Sequence, residues 1–323
     1  MHDDWRPSAC RKALRQRASI LAAIRGFFAE RGVLEVDTPC LVGAGATDPN
    51  VPSFYVAYDG PGAPPEGRLW LQSSPEHAMK RLLAAGSGAI YQITHAFRAG
   101  ERGRLHNPEF TLLEWYRLGW DQHALMDEVA DLFRYLLGGC TVERLTYTQV
   151  FHAHLGVDPL EASRQTLETS AGGLGLGRAA LAALDRDGLL DLLLSHRVVP
   201  ALGSGRLTFV YDFPASQAAL ARLRPDDPRV AERFELFSNG VELANGYHEL
   251  TDAVEQRLRF ERERAARARL GLPLPDVDAR LLAAMEAGLP PCAGVALGLD
   301  RLIMHVCGAR HIDEVIAFPI ERA

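Results

Sequence analysis

The chain has 323 residues, 47% of them hydrophobic, which is enough for one large core or two modest ones. No stretch approaches the roughly eighteen uncharged apolar residues that a membrane span needs. A formal net charge of −6 argues against broad nucleic-acid binding and leaves room only for a local basic patch. Cys10, Cys40, Cys140, Cys292 and Cys307 are odd in number and lack close pairs, which suggests a reducing compartment and no metal knuckle. The opening MHDDWRPSAC lacks the charged-then-apolar layout of a secretion signal, so the cytoplasm is the expected location. Lys12 and Lys80 are the only lysines; every other basic side chain is arginine.

Residues 8–31 predict an amphipathic helix with Leu14, Ile20, Leu21, Ile24, Phe27 and Phe28 on its apolar face, Ser8 as cap and Gly32 as stop. Short strands are expected at Val33–Val36, Phe54–Tyr58 and Leu69–Gln72, among Gly- and Pro-rich loops. Ser73-Ser74-Pro75-Glu76 then opens a helix through Leu83. Ile90–Phe97 and Glu109–Leu118 flank a loop rich in Arg and Gly, the pattern of a long antiparallel hairpin. A helix over 121–137 follows, then short helices and Gly-rich turns over 141–205. GGLGLG at 172–177 follows no strand and is expected to be a linker, GSG at 203–205 is no nucleophile elbow, and His152 and His154 are weak metal candidates. Strands are expected at LTFVYDFP from Leu207, at Phe234–Phe237 and at Val241–Leu250, with a Ser238-Asn239-Gly240 turn between the last two. Helices at 251–270 and 278–287, a strand at Ala293–Leu297, a helix at Leu299–Cys307 and a last strand at Val315–Phe318 complete the chain. Hairpin-linked strands with helices set apart predict an α+β fold on a mainly antiparallel sheet.

Along the second hairpin strand, Phe110, Leu112, Glu114 and Tyr116 share a face, because side chains alternate. A carboxylate among apolar neighbours needs a cation, or it is costly to bury. The preceding loop offers cations to a polyanion, so together they suit a phosphorylated nucleotide beside an amine. Glu242 and Glu249 are seven apart, which puts them on opposite strand faces unless a bulge, expected at Gly246, restores a shared one. Converging carboxylates beside phosphate are the hard-oxygen ligands that Mg²⁺ prefers; two solvated strand glutamates are the plain alternative. Arg98 and Arg301 offer planar forks for phosphate oxygens. Glu76 at a helix start is either dipole compensation or an amine ligand.

These motifs, in this order, resemble the catalytic domain of class II lysyl-tRNA synthetases, and within them the truncated elongation factor P–lysine ligase family. FFAERGVLEVDTP is similar to motif 1, Phe97–Tyr116 to motif 2 and GVALGLDR at 294–301 to motif 3, with SSPEHAMKRLL and VELANGYHELTDA as lysine-subgroup signatures. The resemblance covers nearly the whole chain. It implies one catalytic domain over 1–323 with a helical insertion at about 121–205, built on an antiparallel sheet, and a homodimer. It implies ATP and Mg²⁺ as cofactors and lysine or (R)-β-lysine as substrate. Arg98 and Arg301 would bind the ATP phosphates and act in catalysis. Ala99, Gly100, His106, Asn107, Phe110, Leu243 and Gly298 would complete the nucleotide site, with Phe110 on the adenine. Glu242 and Glu249 would reach Mg²⁺. Glu76 would take the near amine, Glu114 and Tyr116 the far ammonium, and Ser74, Pro75, Asn245, Glu249 and Ala296 would line the rest.

Two departures stand out. Motif 2 has Arg-x-Glu in the family, whereas Arg98-Ala99-Gly100 carries Gly there and Glu101 one place late. Lysyl-tRNA synthetases have Gly where this chain has Ala296; the ligase family has Ala. About fifteen residues precede the motif 1 helix, too few for an anticodon-binding domain, so the expected acceptor is elongation factor P and not tRNA. The expected reaction is amino-acid activation as an adenylate and transfer to a lysine ε-amine of that factor. A minimal tRNA-acylating enzyme and an inactive regulatory subunit, for which Gly100 is the only support, are the alternatives.

Overall fold

The computed structural model describes residues 5–323; residues 1–4, the front of the segment without a leader layout, lie outside the described residues. Helix α1 (Arg11–Ala29) buries Ile20, Ile24, Phe27 and Phe28 at helical spacing. Its N-cap is Cys10, not Ser8, whose backbone N–H is drawn away to the Ala317 carbonyl at 2.8 Å. Gly32 ends the helix at φ +65°. Strand β1 (Leu34–Glu35) follows, then β2 (Leu41–Val42), β3 (Tyr55–Ala57) and β4 (Arg68–Leu71). The last three form a small antiparallel sheet in the order β2-β4-β3. Helix α2 (Glu76–Ala84) starts behind Pro75, and β5 (Ile90–Phe97) and β6 (Glu109–Leu118) form the expected hairpin, from Ile90 opposite Tyr116 to Phe97 opposite Glu109.

Helix α3 (Gln122–Leu137) is capped by the Asp121 side chain and closed by Gly138 at φ +73°. Strand β7 (Val142–Thr146) escapes sequence reasoning: VERLT has no unbroken apolar run, all five residues are half-buried, and its partner lies far along the chain. Helices α4 (Tyr147–Leu155), α5 (Arg164–Ser170), α6 (Arg178–Ala183) and α7 (Arg186–Leu193) pack around Tyr147, Phe151, Leu167 and Leu190. GGLGLG links α5 to α6, as expected. Strands β8 (Leu207–Pro214), β9 (Val230–Ser238) and β10 (Val241–His248) follow, the last two joined through Asn239 at φ +48° and Gly240 at φ +71°. Gly203 lies against this turn, where a Cβ would meet the Ser238 Cα at 2.5 Å; the GSG stretch is a packing device.

The chain ends with α8 (Ala253–Arg269), α9 (Ala279–Gly288), β11 (Cys292–Gly298) and α10 (Leu299–Cys307). The expected strand at Val315–Phe318 is not formed. The N–H groups of Val315 and Ile316 both bond the Ile312 carbonyl, at 3.0 and 3.2 Å, so a turn consumes the donors a ladder would need.

Two compact units result, Met1–Gly119 with Thr251–Ala323, and Trp120–Leu250. The first orders its main strands β1-β5-β6-β11, with only β1–β5 parallel. The second orders them β10-β9-β8-β7, with only β7–β8 parallel. Strands are thus mainly antiparallel and helices lie apart from them in sequence, the α+β class expected. Among the described residues, no helix is long and apolar enough to cross a membrane.

The core of the first unit centres on Phe28, fully buried, stacked on Tyr91 at 4.4 Å between centroids and edge-on to Trp115 at 5.3 Å. Phe28→Ala is expected to cost about 3–5 kcal/mol in denaturant unfolding, through lost transfer energy and the cavity left behind.

Candidate active site

In the first unit, Glu114 occupies the middle of β6, flanked by Gln92 on β5 and Ala296 on β11, and is 1% exposed. Strand alternation places Tyr116 on the same face, and its hydroxyl donates to Glu114 Oε1 at 2.7 Å. Ser74, just ahead of α2, donates from Oγ to Glu114 Oε2 at 2.8 Å and accepts the Glu76 N–H at 3.1 Å. Glu76, in the first turn of α2, takes the Lys80 ammonium on Oε1 at 2.6 Å, one helical turn on. Burial, and next the charge of Glu76, push the Glu114 carboxyl up to about 7; Tyr116, Ser74 and Lys80 pull it back. Because that exceeds the 4.5 of an ordinary glutamate, the ligand-free fold loses stability as pH rises between the two values. An ammonium arriving beside Glu114 reverses this, since it favours the carboxylate.

The basic end of this unit is the loop after β5. Arg98 lies over the Phe110 ring, 5.1 Å from its centroid; its Nε is buried and has no hydrogen-bond partner. The loop turns at Gly100, φ +79°, where nothing crowds a Cβ; the backbone conformation itself demands glycine. That turn carries Glu101 to 3.7 Å from Arg98 and 4.0 Å from His106. His106 Nε2 lies 2.8 Å from Arg301 Nη2, so these two predicted nucleotide ligands meet. Ala99 is fixed through its N–H to Pro52 at 2.8 Å. Asn107 is 4% exposed, its amide donating to the Glu109 carbonyl at 2.7 Å and accepting the Ile320 N–H at 3.1 Å, so it shapes the hairpin base. Gly298 closes β11 as the N-cap of α10, and Pro75 is the N-cap of α2.

Arg301 is set by its neighbour. Asp300 is 2% exposed, takes Arg17 of α1 at 2.5 Å on one oxygen and the Thr111 N–H of β6 at 2.7 Å on the other. Arg17 also donates to Thr111 Oγ1 at 2.6 Å. One carboxylate therefore ties α1, β6 and α10 together beside the arginine.

In the second unit, β10 carries Glu242, Leu243, Asn245 and, just beyond its end, Glu249. The register slips between Glu242 and Ala244, not at Gly246: Leu243 is the extra residue, and its side chain is buried. The slip changes the strand's parity, so Asn245 and Tyr247 share the face of Glu242, while β10 ends at His248, before Glu249. Glu242 and Asn245 stand opposite Phe237 and Glu235 of β9, and Tyr247 opposite Arg233. Arg233 donates to Glu235 at 2.5 Å and to Asn245 at 3.3 Å, and Asn245 donates to the Tyr247 hydroxyl at 2.9 Å. Burial raises the Glu235 carboxyl to about 7, against the pull of Arg233 and with a further push from Glu242. The face is acidic, with one arginine embedded in it. Glu249 is 2% exposed, bridged by its backbone to Ala221.

Sequence reasoning missed Lys80, Arg17, Asp300 and Arg233. Lys80 had a local signal, four residues after Glu76 in a chain with two lysines. Arg17 and Asp300 had none, because their pairing spans 283 residues.

The first unit thus holds a buried acid framed by hydroxyls, with Arg98 and Arg301 each set against the hairpin loop, and the second holds an acidic strand face. Residues 2–322 match the class II tRNA synthetases (D, K and N), and the chain belongs to that family. Among curated relatives, the elongation factor P–(R)-β-lysine ligase of Vibrio vulnificus is 55% identical over 99% of both chains. The protein of that name from Vibrio cholerae is 53% identical over 100% of this chain and 99% of its own length. The one from Klebsiella pneumoniae is 52% identical over 99% and 98%.

Asp300→Ala strands the Arg17 guanidinium and the Thr111 N–H. It is expected to lower unfolding free energy by about 2–4 kcal/mol, less than a fully buried pair because Arg17 keeps some water. Chemical denaturation measures it.

Proposed function

We propose that this chain activates (R)-β-lysine, or lysine, with ATP and transfers the acyl group to the ε-amine of a lysine on elongation factor P. The observation that carries the reading is Glu114: a buried acid, hydrogen-bonded by Tyr116 and Ser74, placed where an ammonium would relieve the cost of its burial. Relatives named for this reaction, aligned over essentially their whole length, support it.

In the proposed reaction the substrate carboxylate attacks the α-phosphorus, the bond to the β-phosphate oxygen breaks, and pyrophosphate leaves. The acceptor amine then attacks the acyl carbon, loses a proton, and AMP departs. No side-chain nucleophile is required; Arg98 and Arg301 stabilise the charge gathering on phosphate, and the acids hold the substrate in line. His106, Ala99, Gly100, Leu243 and Gly298 line the nucleotide site, Phe110 supplies a ring for adenine, and Asn107 supports the hairpin that presents it. Glu101, brought to Arg98 and His106 by the Gly100 turn, stands in for the family's motif 2 glutamate. Asn245, Pro75 and Ala296 complete the amino-acid side.

The carboxylate oxygens of Glu242 and Glu249 are hard donors of the kind that Mg²⁺ takes. Among the described residues no group of three or more His, Cys, Asp or Glu is gathered to hold a metal. Bound there, Mg²⁺ would neutralise phosphate charge.

We read both units as one catalytic domain, with α4–α7 inserted, because one family match spans them. We place the protein in the cytoplasm as a homodimer; no disulfide joins its five cysteines, which fits a reducing compartment.

Amino-acid-dependent pyrophosphate exchange is expected with (R)-β-lysine or lysine, and elongation factor P is expected to gain the acyl mass. Acylated tRNA instead would favour a minimal tRNA synthetase, and no adenylate an inactive subunit. Glu114→Gln is expected to raise the amino-acid KM at least about tenfold while the ATP KM stays within about twofold, since a charged hydrogen bond to the amine is lost. Chelation by EDTA should stop exchange, and added Mg²⁺ restore it.

A further inference from the structure

Lys80 is the side chain of the acid pocket to which the proposed reaction assigns no task. It is 1% exposed, and its ammonium sits 2.6 Å from Glu76 Oε1. A buried ammonium persists only where acids compensate it, so its charge belongs to the pocket and not to solvent. The charged and titratable groups that act most on Glu114 are Glu76 and Lys80 of α2 and Tyr116 of its own strand. Its cross-strand neighbours, Gln92 of β5 and Ala296 of β11, are uncharged, as is Ser74 ahead of α2. Among these groups two carboxylates face one ammonium.

We propose that Lys80 is a specificity-determining residue, the resident counter-ion that fits this two-acid pocket to a substrate end carrying one further ammonium. The inference rests on the proposed amino-acid activation and gives its pocket a charge rule. Lys80 holds one acid's charge permanently, and the incoming ammonium holds the other's. In the ligand-free site a proton on Glu114 fills the deficit, and it leaves to solvent when the ammonium arrives. Lys80 acts through the two glutamates; it is a positioning residue and not a catalytic one.

The test compares Lys80→Met, Lys80→Arg and Glu76→Gln with the parent enzyme. Two quantities are read: the ¹³C carboxyl titration of Glu114 in the ligand-free protein, assigned by its loss in Glu114→Gln, and the amino-acid KM for pyrophosphate exchange against pH. In the parent, KM should rise as pH falls through the Glu114 inflection, near 7. Removing the lysine's charge should move that inflection up by roughly one pH unit, and removing the Glu76 charge should move it down by a similar amount. For Lys80→Met, the amino-acid KM at neutral pH should then rise about three- to tenfold and recover toward pH 9 or so, with the ATP KM steady. Lys80→Arg should keep the parent's profile. A merely structural lysine would raise KM at every pH without moving the inflection, and that result overturns the proposal. So does a shift of the same sign in both charge variants. Should Lys80→Met fail to fold, Lys80→Gln, which also removes the charge, is read in its place, and an unmoved inflection there overturns the proposal. Absence of exchange with every amino acid would defeat the proposed function, while the carboxyl titration still judges the charge rule.

Discussion

The organising constraint of the first unit is a carboxylate in the middle of an interior strand. Glu114 has hydrogen-bonded strands on both sides and almost no water. An acid there is tolerated only when donors meet both oxygens and cationic charge stands nearby. Tyr116 and Ser74 provide the donors, and Lys80 part of the charge. In our proposal the remainder is left to a ligand's ammonium. That is a cost to the ligand-free fold, and the same free energy becomes available when an ammonium binds.

A pocket of this kind has value only if the reacting groups stand at a fixed distance from it. The protein achieves this through backbone continuity. Phe110 and Glu114 lie on one strand, four residues apart, so the ring beneath Arg98 and the acid are held at a spacing set by the pleat. Asp300 then locks α10 and α1 to that strand at Thr111, one residue from Phe110. The arginine beside Asp300 inherits the same frame. Charged side chains that do no chemistry thus set the position of those that do.

Much of this was legible because strands impose a period of two. The shared face of Phe110, Leu112, Glu114 and Tyr116, the hairpin, and the Asn239-Gly240 turn all followed from alternation and turn chemistry. What escaped was non-local. The register slip falls at Leu243, whose side chain is buried, whereas glycine content pointed to Gly246. β7 is a strand only because β8 accepts it as a parallel neighbour. The C-terminal segment has β-like composition, yet local turns consume its N–H groups and Arg102 forks onto Asp313 and Glu321 at 2.7–3.0 Å. Arg17 and Asp300 meet across almost the whole chain. Composition and spacing carry no trace of such pairs.

The altered motif 2 keeps an acid beside Arg98 and His106 despite the change of residue. Gly100 takes a left-handed conformation that glutamate would adopt only with strain, and the turn it makes advances the next side chain toward Arg98 and His106. A one-residue shift of an acid along the sequence is thereby offset by a backbone turn that only glycine makes cheaply. The loss of one glutamate and the gain of one glycine are a single change in physical terms: the charge stays at the basic end of the site and the loop bends to keep it there. Gly100 is the residue whose turn sets Glu101 beside Arg98 and His106, and in our proposal Glu101 takes the task of the acid it displaced.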